Sequence, residues 1–257
     1  GAGAAGAGAA GAGAAGAGNG GAGAGGAGTS GAGTGGAGTG GPVKVMYIGA
    51  SPGEENASWD QYLMPQIQEW GYDVDKKHTR DDILGYTDAD FTPYDMIFLS
   101  ETLDSRIPGM DTLRRMPLPM LLSDGFGAKE SVYAFGGSPG LVDEPVPVIF
   151  LPDAAGHPLA AGYAPGTVVT FGTSGRESCL SIPNQPTIDH VAIGAVEGDT
   201  TEMMVYGIEK GTLNTAGETI QNRVAVVGIH AWCYDNLTEA GVAVFKAGME
   251  WVLAESP

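Results

Sequence analysis

The chain has 257 residues and a formal net charge of -18, yet 21 of its 44 glycines crowd into residues 1–41. All of its charge, 12 basic and 30 acidic residues, lies in 42–257. A pI near 4.3 argues against nucleic acid, polyphosphate ligands and anionic membranes, and no apolar run is long enough to span a bilayer.

The first 41 residues read in fives. Pentads open at Gly1, Gly6, Gly11, Gly16, Gly21, Gly26, Gly31 and Gly36, each beginning Gly-Ala-Gly. The repeat produces false matches to the dinucleotide fingerprint, such as Gly1-x-Gly3-x-x-Gly6, with no strand before them and no helix after. Glycine also recurs at no constant period of three, which excludes collagen. A flexible linker is one reading of the tail. The sharper one is a small-residue segment that packs against copies of itself, and the missing charges fit it, because a buried unpaired charge opposes association. The start at Gly1 rather than a methionine suggests a processed or truncated beginning.

From Pro42 onward strands and helices alternate. Val43 to Ile48 is a buried first strand, and Ser58 to Trp70 a helix with Tyr62, Leu63, Ile67 and Trp70 on one face and Gly71 as its stop. Tyr72 to Asp75, Asp95 to Ser100 and Leu118 to Ser123 are further strands, with helical stretches over 104–115 and near Lys129. Strands then follow at 146–151, 167–171, 190–196, 203–209 and 224–229. A closing helix, Thr238 to Ala254, buries Val242, Phe245, Met249 and Val252. This order predicts an α/β domain over 42–257: a mostly parallel sheet of order near 2-1-3-4 with an antiparallel extension. The two cysteines, Cys179 and Cys233, are too few for a zinc ribbon; buried free thiols are the favoured reading, with one disulfide as the alternative if the chain is exported.

The runs VKVMYIG from Val43, YDMIFLS from Tyr94, HPLAAGY from His157, NRVAVVGIH from Asn222 and the terminal MEWVLA resemble the ThuA-like branch of the class I glutamine amidotransferase-like proteins. The resemblance covers Val43 to Ala254 and implies a flavodoxin-like three-layer sandwich. It is also similar to domains of unknown function in exported, multi-domain bacterial proteins. Catalytic members of the wider fold carry a cysteine on a strand-to-helix elbow. The matching place here is Leu122-Ser123-Asp124-Gly125, without one.

Strand-end residues are the remaining candidates, because ligand crevices in open α/β sheets lie outside the carboxyl ends of the strands. Ser51, Glu101, Ser123, Asp124 and His230 end strands on one edge. Glu101, Asp124 and His230 are expected there as solvent-facing groups, and as a general acid–base set or a sparse metal site if they converge. Gly136-x-Ser138-x-Gly140 matches a hydrolase elbow, but Pro139 lacks the N–H that would hold an oxyanion. The loop before Glu54 and Glu55 could hold an anion, a place those acids are expected to fill. Asp81-Asp82 and Asp88-x-Asp90 lack the calcium-loop spacing and read as solvated surface. His78, His157 and His190 read as structural. No cofactor or metal motif survives. The expected function is a non-catalytic exported subunit whose tail joins copies of itself into a surface filament or matrix. The alternative is a ThuA-like carbohydrate-related enzyme or sugar-binding module using the strand-end pocket.

Overall fold

The computed structural model describes residues 41–54, 56–78, 85–103, 106, 113–137, 139–173 and 179–254. The pentad glycines from Gly1 to Gly36 and Asp81-Asp82 lie outside them, as does most of the helix expected over 104–115.

Among the described residues nine strands form one sheet: β1 (Lys44–Gly49), β2 (Asp73–His78), β3 (Met96–Leu99), β4 (Met120–Leu122), β5 (Val148–Phe150), β6 (Val168–Val169), β7 (Val191–Val196), β8 (Asp199–Ile208) and β9 (Val224–Val227). Their order is β2-β1-β3-β4-β9-β8-β7-β5-β6, so the first four follow the expected 2-1-3-4. Pairing is parallel from β2 to β9 and antiparallel from β9 to β6. Among the described residues three α-helices accompany it: α1 (Asp60–Glu69), α2 (Asp88–Phe91) and α3 (Glu239–Leu253).

The parallel strands β1, β3, β4 and β9 are apolar at nearly every position because both faces of the sheet are covered there, whereas β2 at the edge reads DVDKKH and is only half-buried. Their side chains alternate between two cores. Val45, Tyr47, Phe98, Leu121, Ala225 and Val227 meet Leu63 and Ile67 of α1 and Phe245 and Met249 of α3. Met46, Ile48, Ile97, Leu99, Leu122 and Val226 meet Phe91 of α2, Leu113 and Tyr133 on the other side.

Several expectations are corrected. Tyr62 is 44% exposed and turns its ring to Trp59, because the buried stripe of α1 runs through Asp60, Leu63 and Ile67. In α3, Val244 lies deeper than Val242, which is half-buried. The stretch before Lys129 is a 3-10 turn, Gly125–Ala128, since two glycines in four residues cannot sustain an α-helix. The cysteines are not free thiols: Cys179 and Cys233 form a disulfide. The bridge of Ser181 to Ile229 carries Cys179 alongside the turn that follows β9, leaving the Cα atoms 4.6 Å apart. Gly172 lies against this disulfide, and a β-carbon there would strike the Cys179 sulfur.

Candidate functional site

The chain leaves β1 for β2 on one side and β3 on the other, so the topological switch point lies at the carboxyl ends of β1 and β3. Ser51 follows β1, Glu101 follows β3, Ser123 and Asp124 follow β4, and His230 follows β9. All five are buried, none above 8% exposure, which corrects the expectation of solvent-facing strand ends.

Glu101 and His230 do converge, with Oε1 and Nε2 3.4 Å apart. His230 caps the 3-10 turn Ala231–Cys233: its Nδ1 accepts from the Trp232 N–H at 3.2 Å, which leaves the proton on Nε2, facing Glu101. The first N–H of the same turn, from Ala231, donates to Glu101 Oε2 at 2.8 Å. Burial drives both groups toward neutrality. It lowers the His230 pKa to about 4. Burial, then the nearby Asp124 carboxylate, raises Glu101 well above its ordinary range, against the pull of the Ala231 N–H. The contact is thus a close approach of two groups that burial drives toward their neutral forms. The pair can hold or pass a proton, but each contact also fastens the end of β3 to the end of β9.

Ser123 is fully buried, with its hydroxyl 2.9 Å from the Tyr234 hydroxyl and donating to the Ile229 carbonyl at 3.3 Å. Tyr234 also accepts from the Glu101 N–H at 3.2 Å, and burial raises its phenol pKa. Asp124 accepts from the Phe126 N–H and caps the 3-10 turn after β4. Near Ser51, the Glu54 carboxylate accepts the Ser51 N–H at 2.8 Å, the internal use of that loop expected for the acid. The Ser51 hydroxyl is buried without a hydrogen-bond partner.

The largest polar cluster on this edge escaped sequence reasoning. Asp60, 1% exposed at the start of α1, accepts from the hydroxyls of Tyr47 (2.7 Å), Ser100 (2.7 Å) and Thr102 (2.9 Å). Lys76 of β2 places its Nζ 2.7 Å from the same carboxylate. A β-carbon at Gly49 would collide with Asp60, so only glycine ends β1. A signal was present: Asp60 occupies the buried stripe at helical spacing from Leu63 and Ile67, where a lone acid needs partners.

Of the other candidates among the described residues only His78 lies on this edge, at the end of β2, where its Nδ1 is 2.8 Å from the Ala50 carbonyl. Ser138 lies outside the described residues, and the loop around it contains neither strand nor helix. His157 caps a short turn by accepting from the Leu159 N–H, while His78 and His190 hold backbone carbonyls. Asp90 closes a capping box with Thr87 at the start of α2. Among the described residues no cluster of His, Cys, Asp and Glu suits a metal, and no helix is long and apolar enough to cross a membrane. A cleft of about 400 Å3 opens on the opposite, amino edge of the sheet, between Tyr94, Pro117, Leu118 and Asn222.

No family model matches the chain, and neither does any curated protein. Among solved structures, it is similar to a protein described as ThuA-like from Bacteroides uniformis ATCC 8492, with 12% identity and a TM-score of 0.56 over 82% of this chain and 92% of that one. A second, described as ThuA-like from Parabacteroides merdae ATCC 43184, shares 15% identity with a TM-score of 0.50, over 82% and 90%. Likeness at this identity speaks for the fold alone. The fold of this chain is ThuA-like.

Proposed function

We propose that the chain is a non-catalytic exported subunit, a flavodoxin-like domain on a Gly/Ala tail that joins copies of the protein into a surface filament or matrix. The observation that carries this reading is the engagement of the strand-end groups with one another. Glu101 is taken up by His230 and the Ala231 N–H, and Ser123 by Tyr234 and a carbonyl. A serine nucleophile needs an oriented base, and the side chain bonded to Ser123 is a phenol of raised pKa. The Cys179–Cys233 disulfide supports an oxidising destination. The partner is a second copy of the chain, not nucleic acid, given the net charge of -18. Electron microscopy of the native material tests the reading. Ordered filaments or sheets are expected; monodisperse single particles whose tail amides exchange at the free-peptide rate would reduce the tail to a linker.

A second reading, a carbohydrate-directed acid–base or binding module, is favoured by one observation. Glu101 and His230 are shifted in opposite directions at the switch point, a pattern enriched at functional sites. Turnover of a sugar panel that disappears in Glu101→Gln and in His230→Gln, with the fold intact, would put this reading first.

A further inference from the structure

We infer that β2 is a docking edge for a second copy of this chain, the two β2 strands pairing antiparallel about a two-fold axis at Lys76 and joining two sheets into one. β2 ends the sheet, with β1 as its only strand neighbour among the described residues. The Asp73 N–H donates to the Val43 carbonyl at 2.9 Å, so the backbone of Asp73 turns inward to β1. By strand alternation Asp75 and Lys77 also turn inward, and Val74 and Lys76 turn their backbone groups outward. Such an edge is a template for another strand.

Proteins often bar an edge with charge. Here the charge is balanced, and Lys76 is drawn off the edge. Lys76 reaches back to buried Asp60 at 2.7 Å, and Lys77 Nζ lies 3.1 Å from Asp75. Asp73, Asp75, Lys76 and Lys77 cancel, within a chain of net charge -18. Two copies can therefore approach along β2 without the repulsion that most of the acidic surface would impose.

The pairing also has a defined register. A two-fold axis normal to the sheet keeps each side chain on its own face, so opposed residues differ by an even number. Centring on Lys76 sets Asp75 opposite Lys77 of the second copy, and Lys77 opposite Asp75. These fall at non-hydrogen-bonded positions, where side chains approach most closely. Centring on Asp75 instead sets two carboxylates face to face, whereas the two Lys76 side chains that meet on the axis are each neutralised by the Asp60 of their own copy. The contact is isologous and closes at a dimer. It makes no use of the tail.

Hydrogen exchange on the full chain, followed from dilute to concentrated protein, tests the edge and locates it. Exchange at the Val74 and Lys76 amides should slow by about tenfold or more with concentration, while the inward amides of Asp73 and Asp75 stay constant. Lys77→Glu should abolish that dependence, and Lys246→Glu, the same charge change on exposed α3 surface, should keep it. Exchange at Val74 and Lys76 that ignores concentration overturns the inference, even in a chain that associates, and leaves the tail reading standing. So does a Lys77→Glu chain that is folded and behaves as the wild type. The wild-type series decides alone if a variant fails to fold.

Discussion

His230 couples the strand-end edge to pH. Its Nδ1 is an acceptor for the Trp232 N–H, and protonation there removes the acceptor and places a charge in a buried site. With the folded pKa lowered from 6.5 to about 4, its contribution to stability is complete above pH 6.5 and is lost as pH falls toward 4. The loss is about 3 kcal/mol over that window, and urea unfolding at stepped pH should show it in the wild type and lose most of it in His230→Gln. Glu101 has the opposite sign: its raised folded pKa gives stability that is present below the ordinary carboxylate range and fades as pH rises through the folded value. Glu101→Gln should therefore flatten the alkaline side of the profile. Asp60 is the larger structural determinant. Removing its carboxylate strands Lys76 and three hydroxyls, so Asp60→Ala should cost about 3–5 kcal/mol by denaturant titration. Glu101 and His230 were legible in the sequence because apolar runs point to the residues that end them. Asp60 was not, because its partners Tyr47, Lys76, Ser100 and Thr102 come from three other parts of the chain.

Elements with strong periodicity were readable and those set by tertiary contact were not. The parallel strands β1, β3, β4 and β9 announced themselves as apolar runs, while the charged edge strand β2 runs three residues past its expected end at Asp75, and α3 announced itself by its apolar stripe and its Thr238 cap, whose hydroxyl accepts from the Gly241 N–H. The expected position of Tyr62 failed because aromatic character suggested burial, whereas the helix spends that face on an acid. The 3-10 turns after β4 and β9 carry too few residues to show a period, although they hold the caps of Asp124 and His230. The disulfide was hidden by a separation of 54 residues and by a composition that favoured free thiols. It pins the turn carrying His230, and closing a loop of that length contributes about 4 kcal/mol in the chain-entropy account. Reduction, or Cys179→Ala with Cys233→Ala, should lower the urea midpoint accordingly; an unchanged midpoint would mean that the bridge restrains little.

At the scale of the molecule, alternation of strand and helix was enough to give the order 2-1-3-4, because parallel neighbours need crossovers and crossovers need helices. Function was less legible, since the polar groups that bind or catalyse at this edge in some proteins of such architecture can also bond to one another, as Ser123 and Tyr234 do here. The account therefore rests on the tail. Fixing its backbone costs about 1–2 kcal/mol per residue, and alanine methyls alone bury too little area to offset that, so the proposed ordering draws on repeated copies or a groove on a neighbour. The acidic domains would then keep separate assemblies apart. Sedimentation velocity of the full chain beside residues 42–257 tests this most directly. The full chain should form large particles while the shortened one stays folded, soluble and no larger than a dimer; two chains that sediment alike, with tail amides exchanging as in a free peptide, would contradict it.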